Sequence, residues 1–291
     1  MYGSAISALL LGLVPVTASV DLAPPAPRPT LSVSRPASLL PLLPDTRAVA
    51  LRNVSASGVL VIDFESGQKV LDRGSNVARP MASLTKLMTA LLIVERHGNE
   101  LDRWVRVPED VAGIEGSVAH LVPGEQYTLG DLLYALLGPS ANDAAVTLAL
   151  FHSGSLDAFS AAMNVRAAEL GLKSTVFANP TGLDHPDQES TPQDLTWLAM
   201  FAMRYPQIAD RLSQPSGDIA SKSGKKLELV HTNVLLHQKS NVVAGKTGTT
   251  DEARQCLLSL VEEAGHKYLV VLLHSSDRYK DMKMILNALR V

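Results

Sequence analysis

The chain of 291 residues and 31.1 kDa is 46% hydrophobic and 19% charged, enough to bury one large core or two small ones and incompatible with a disordered or collagen-like polymer. Its 26 Lys and Arg against 29 Asp and Glu give a formal charge of −3, so no broad basic field is available for a phosphate backbone and no nucleic-acid partner is expected. The single cysteine, Cys256, excludes an intrachain disulfide and an all-cysteine metal site.

Residues 1–20 carry no charged side chain and include the apolar run Ala8-Leu9-Leu10-Leu11-Gly12-Leu13-Val14, followed by small residues at Ala18 and Ser19. This is the pattern of a cleaved secretory signal peptide, although no basic residue precedes the apolar region and the first is Arg28. Gly12 and Pro15 interrupt the run, which is too short for a membrane span. Prolines then crowd the stretch from Pro24 to Pro44, and each fixes φ and removes a backbone donor. Residues 21–47 therefore read as an extended linker, and a folded domain is expected over 48–291.

Within that domain Gly58 to Phe64, the turn residues Ser66-Gly67 and Lys69-Val70-Leu71 predict a β-hairpin. Ser83 to His97 has apolar residues at Leu84, Leu87, Met88, Leu91 and Leu92, the spacing of a helix that Gly98 ends; lying directly behind the hairpin, its first turn is expected at the sheet edge. Further helices are expected after Thr128, from Asn142, from Ser155 to Leu170 and from the cap Thr191-Pro192-Gln193-Asp194. Val242 to Thr250, Cys256 to Val261 and Tyr268 to Leu273 read as strands, and Met282 to Leu289 returns to helical spacing. Strands at both ends with helices between them predict an α+β fold: one antiparallel sheet built from N- and C-terminal segments, an all-helical insertion, and a cleft between the two.

Three short patterns carry possible chemistry. Serine followed three residues later by lysine occurs at Ser66/Lys69, Ser83/Lys86 and Ser223/Lys226, so context has to choose. Ser66 falls in a turn and Ser223 in a polar loop, whereas Ser83 and Lys86 project from one face of a helix start, where free N–H groups and positive partial charge surround the serine. Alone, this pair also fits a helix cap beside a solvated lysine; as a nucleophile and base it would need the lysine pKa pulled down. The second pattern, Ser140-Ala141-Asn142, is common at helix starts. The third, Gly245-Lys246-Thr247-Gly248-Thr249, puts a cation and two glycines on a strand that a ligand backbone could approach closely.

In this order and at these distances the three patterns resemble the SxxK, SxN and KTG motifs of penicillin-recognising serine peptidases and class A β-lactamases. Longer phrases, among them Arg79-Pro80-Met81-Ala82-Ser83-Leu84-Thr85-Lys86, Glu169-Leu170-Gly171-Leu172 and Asn179-Pro180-Thr181-Gly182-Leu183, resemble the low-molecular-mass penicillin-binding proteins, the D-alanyl-D-alanine carboxypeptidases and endopeptidases, and most of all the penicillin-binding protein 7 type. The resemblance implies a β-lactamase/transpeptidase-like fold and acyl transfer on peptidoglycan stem peptides, with β-lactam antibiotics as covalent inhibitors and neither cofactor nor metal. It assigns Ser83 as nucleophile and Lys86 as its base, kept partly neutral by Lys246 across the cleft. Ser140 would relay the proton to the leaving amine, and Asn142 would bind the substrate amide and hold Lys86. Lys246 and Thr247 would meet the substrate carboxylate, and the Ser83 and Thr249 N–H groups would form the oxyanion hole.

Two alternatives share the motifs. A class A β-lactamase adds a deacylating glutamate downstream of SxN, and Gly171 to Gln188 contains none. A silent peptidoglycan-binding protein on the same fold would not need the full set of reactive side chains. His231-Thr232-Asn233 resembles a family segment near the cleft but is given no catalytic role, and Cys256 is expected to be a core residue. The implied location is periplasmic after signal cleavage, with loose membrane association as the alternative; neither oligomeric state nor the choice between carboxypeptidase and endopeptidase is legible.

Overall fold

The structure, a computed structural model, describes residues 52–290. The expected signal peptide (1–20), the Pro-rich linker (21–47) and the first residues of the expected domain (48–51) lie outside them. Among the described residues an antiparallel sheet of five strands has the order β2-β1-β9-β8-β7: β1 (Gly58–Asp63), β2 (Lys69–Arg73), β7 (Val242–Thr250), β8 (Arg254–Glu263) and β9 (His266–Ser275). The N-terminal hairpin thus closes onto the C-terminal strands through β1 and β9, as expected for a sheet built from both ends of the domain.

The unbroken apolar runs of these strands follow from a sheet covered on both faces. Leu60 and Ile62 of β1 join Leu258, Leu269 and Val271 in the larger core, which extends through the helices. Val59 and Val61 alternate with them and pack with Leu257, Val270 and Leu272 against Met282, Ile285 and Leu289 of α7 (Arg278–Leu289). Across the first face lies α1 (Lys86–His97), buried from Lys86 to Val94 and packed against α2 (Leu129–Leu137), α3 (Asn142–Ser153), α4 (Leu156–Glu169), α5 (Pro192–Ala202) and α6 (Pro206–Ser213). Helix starts lie where the caps predict them. Thr128 accepts from Asp131 N at 3.1 Å, Ser155 from Ala158 N at 3.1 Å, and Thr191 from Asp194 N at 3.0 Å with Pro192 behind it.

The structure departs from the sequence reading in two places. The insertion is not helical throughout, because β3 (Trp104–Arg106) pairs with β4 (Gln126–Thr128) and β5 (Ser216–Ala220) pairs with β6 (Lys226–Val230). The first turn ahead of α1 does lie at a sheet edge, but at the far one: Ala82–Thr85 packs on β7, while the hairpin forms the β2 edge. The chain crosses between them through Arg79, whose N–H donates to Ser190 O at 2.8 Å and whose carbonyl accepts from Ser190 N at 3.0 Å.

Candidate active site

Ser83 sits in a tight 3-10 turn, Ala82–Thr85, rather than in the α-helix proper, and its side chain caps nothing. Ala82 holds φ +47°, a left-handed conformation that raises the serine out of the helix line. Thr85 Oγ1 donates to Ala82 O at 2.8 Å and locks the turn. Two glycines let other segments close on it. A Cβ on Gly182, itself at φ +87°, would lie 2.2 Å from Ala82 O, and one on Gly248 would lie 2.9 Å from Ser83 N.

One turn on, Lys86 is fully buried and its Nζ is 3.0 Å from Ser83 Oγ, 2.6 Å from Asn142 Oδ1 and 2.5 Å from Thr181 O. Burial lowers its pKa from the ordinary 10.5 to about 7, against an opposing pull from Asp143. The partner set determines what a neutral amine does here. Asn142 Oδ1 and Thr181 O can only accept, so in the neutral amine they can take both hydrogens and free the lone pair for Ser83 Oγ, whose hydroxyl also reaches Thr181 O at 3.4 Å. That is the geometry of a general base. The resemblance implies Lys246 as the cause of Lys86 neutrality; in the structure burial lowers Lys86, and the like-charge repulsion falls on Lys246 instead.

Ser140, Asn142, Lys246, Thr247 and Thr249 all gather around the same serine, but not all in the expected places. Lys246 is wholly buried behind the cleft wall, where Nζ donates to Ser140 Oγ at 2.7 Å and to Thr247 O at 2.8 Å. Burial first, then Lys86 and Arg278, hold it well below the ordinary lysine range. It therefore reaches the cleft through Ser140, whose left-handed backbone (φ +65°) turns that hydroxyl inward, rather than through an ammonium exposed to a carboxylate. Asn142 Nδ2 is anchored on Glu115 O at 2.6 Å. Thr247 Oγ1 shares a hydrogen bond with Thr232 Oγ1 at 2.6 Å. Ser83, Ser140, Asn142, Thr247 and Thr249 line one cleft of about 200 Å³.

The cation that does line this cleft is one the sequence reading missed, Arg278, the first residue of α7. Its guanidinium donates to Gly248 O and Cys256 O, both at 2.9 Å, to Gln255 Oε1 at 3.1 Å and to Thr249 Oγ1. The cap at Asp277 marks a helix start, but nothing local says that the next side chain turns back onto β7. The Thr181 carbonyl was also missed as a partner of Lys86, although Asn179-Pro180-Thr181-Gly182 stood out as a phrase. His231 is buried with Nδ1 accepting from Asn233 N at 2.9 Å, and burial with nearby Lys246 pulls it down to about 3, so it is neutral. Cys256 is buried, its thiol pushed up to about 11 by burial, as suits a core residue.

Residues 45–276 match the D-alanyl-D-alanine carboxypeptidase family of peptidases. The chain is 34% identical over 224 residues to the D-alanyl-D-alanine carboxypeptidase DacF of Bacillus subtilis, covering 76% of this chain and 58% of that protein. It is 33% identical over 233 residues to the D-alanyl-D-alanine endopeptidase of Pseudomonas aeruginosa, covering 79% and 74%. Among solved structures, that of the Streptomyces K15 DD-transpeptidase superposes with a TM-score of 0.76 at 28% identity, over 81% of this chain and 97% of that one. The fold is thus the α+β transpeptidase-like one. The family match runs from before β1 to just past β9 and holds every side chain discussed around the serine except Arg278, so the chain belongs to the D-alanyl-D-alanine carboxypeptidase family of serine peptidases.

Proposed function

We propose that the protein is a penicillin-sensitive serine peptidase that cleaves D-alanyl peptide bonds of peptidoglycan stem peptides through an acyl-enzyme. The observation that carries this reading is the placement of a fully buried Lys86 Nζ 3.0 Å from Ser83 Oγ, with two pure acceptors, Asn142 Oδ1 and Thr181 O, beside it to take the hydrogens of the neutral amine. Ser83 Oγ bonds to the carbonyl carbon of the penultimate D-alanine while its proton passes to Lys86 Nζ. The C–N bond then breaks, and the proton reaches the leaving amine by way of Ser140, whose hydroxyl is polarised by Lys246. Water hydrolyses the ester and restores the serine. The Ser83 and Thr249 N–H groups would hold the oxyanion, at roughly 3 kcal/mol per donor. Arg278 and Thr249, with Thr247, supply the polar end of the cleft for the substrate carboxylate, and Lys246 acts there through Ser140.

Labelling of the purified protein by a fluorescent penicillin tests the reading. We expect a stable adduct that Ser83→Ala abolishes; an unlabelled wild type would leave a binding protein on this fold. Steady nitrocefin turnover at about ten per second, an ordinary enzyme rate, would instead make it a β-lactamase. Digestion of purified muropeptides followed by mass spectrometry separates removal of a terminal D-alanine from cutting of crosslinks. Export with cleavage near residue 20 is part of the proposal, and N-terminal sequencing of protein recovered from the periplasm checks it.

A further inference from the structure

Asp143 stands next to Asn142 yet has no part in the steps above. It is 3% exposed, and its carboxylate accepts three backbone N–H groups: Ala119 at 3.0 Å and Ala144 at 2.9 Å on Oδ1, and Leu121 at 3.0 Å on Oδ2. His120 lies between the two loop donors with φ +58°, so alternate N–H groups converge on one anion, the kind of backbone concavity that binds anions. Asn142 fastens the same stretch from its other end, donating through its backbone N to Ser117 O at 2.7 Å and through Nδ2 to Glu115 O at 2.6 Å. Gly116 and Ser117 of this stretch line the cleft. A Cβ on Gly116 would lie 2.8 Å from Asn142 Nδ2, so the wall packs directly on the side chain that holds Lys86.

We propose that Asp143 is a positioning residue for the acyl transfer, one buried carboxylate that fastens the 115–121 wall of the cleft and, one residue along α3 from the Asn142 that grips Lys86 Nζ at 2.6 Å, sets a negative charge beside that amine. The proposal rests on the Ser83/Lys86 reading given above. The charged groups around that amine are Asp143 from α3 and Lys246 from β7, with Arg278 of α7 behind Lys246; Tyr127 of β4 also feels the Asp143 charge. Burial pulls Lys86 down toward about 7 and Asp143 pulls it up. Remove that charge and the amine deprotonates at lower pH, becoming a weaker base; keep it and the base is poised near neutrality.

The test compares the full chain with Asp143→Asn and Asp143→Glu by NMR titration of 13Cε-labelled lysine, amide exchange, and the pH dependence of acylation by a fluorescent penicillin. In Asp143→Asn we expect the Lys86 inflection, and the acid limb of acylation with it, to move down by about one pH unit. The amides of Ala119 and Leu121 should be protected in the wild type and exchange about tenfold faster or more in this variant, which has one acceptor oxygen fewer. Asp143→Glu, which keeps the charge on a longer arm, should hold the inflection near the wild-type value while loosening the same amides. An inflection in Asp143→Asn that stays put or rises would overturn the electrostatic half. Wild-type amides of Ala119 and Leu121 exchanging as fast as open loop would overturn the anchoring half, and that measurement needs no variant to fold. A wild type that penicillin fails to label counts against the peptidase reading alone, since the lysine titration and the exchange still decide the role of Asp143.

Discussion

Lys86 is the residue on which both activity and stability turn. With a folded pKa of about 7, half its population carries the lone pair at neutral pH, so acylation should fall about tenfold per unit below pH 7, read as a pH profile of penicillin labelling. The same shift has a stability consequence of definite sign. Between about 7 and the ordinary 10.5 the unfolded chain holds a proton on Lys86 that the folded one does not, so stability rises with pH across that window by up to about 1.4 kcal/mol per unit; below 7 both states are protonated and the slope vanishes. Urea unfolding of the wild type and Lys86→Met at several pH values gives this contribution as the difference between their slopes, since Lys246, also held low, keeps a slope of the same sign in the variant. A variant with the wild-type slope would place the shift on another group. Ser83, Lys86, Ser140 and Asn142 were legible because their chemistry resides in the side chain and its spacing. The Thr181 carbonyl, the Asp143 anchor and Arg278 were not, since a backbone oxygen has no residue signature and the other two act on segments distant in the chain.

At the level of elements, the nucleophile depends on how closely a loop and a strand can approach a 3-10 turn. Gly182→Ala puts a methyl 2.2 Å from Ala82 O and 2.8 Å from Ser83 N at φ +87°, so the turn must shift. Left-handed backbone alone costs alanine about 1–2 kcal/mol. A shift of the serine near 1 Å costs about 100-fold in rate, and that is the loss of penicillin acylation we expect. Gly224→Ala is the control: its φ is +92° with nothing within 4 Å, so it should lower the melting temperature and leave acylation intact. Equal losses in both variants would mean that strain, not the approach to Ser83, matters. The long buried helices and the central strands were readable because their periodicity runs over many residues and their caps are local. Trp104–Arg106 and Gln126–Thr128 were not, being three residues each with a single buried side chain, Val105 or Tyr127, too short for any period to register. β5 carries Gly217 and Asp218, poor strand formers, and is placed by pairing with β6 and by Ile219 in the core.

Across the whole molecule, the sheet can close only when the first strand of the domain meets the last. The sequence signals this with strands at both ends, but the tie that secures it lies in no motif. Asp281 of α7, 1% exposed, accepts from Ser55 N at 2.7 Å, Ala56 N at 2.9 Å, Ser55 Oγ at 2.8 Å and Ser275 Oγ at 2.6 Å, binding residues more than 200 positions apart. Asp281→Ala leaves two backbone donors, one of them fully buried, without that acceptor, at about 1–3 kcal/mol each, so we expect a loss of about 3 kcal/mol in urea unfolding. The position of this tie decides what else should change. It holds the chain segment entering β1, whereas Ser83 packs against β7 at the other edge of the sheet, with β9 and β8 between. The folded fraction of Asp281→Ala should therefore keep the wild-type acylation rate by penicillin even as its unfolding midpoint falls. If the rate drops in step with stability while the protein is still fully folded, α7 transmits the loss, since it carries Asp281 at one edge of the sheet and, one turn earlier, Arg278 on Gly248 O and Cys256 O beside the nucleophile.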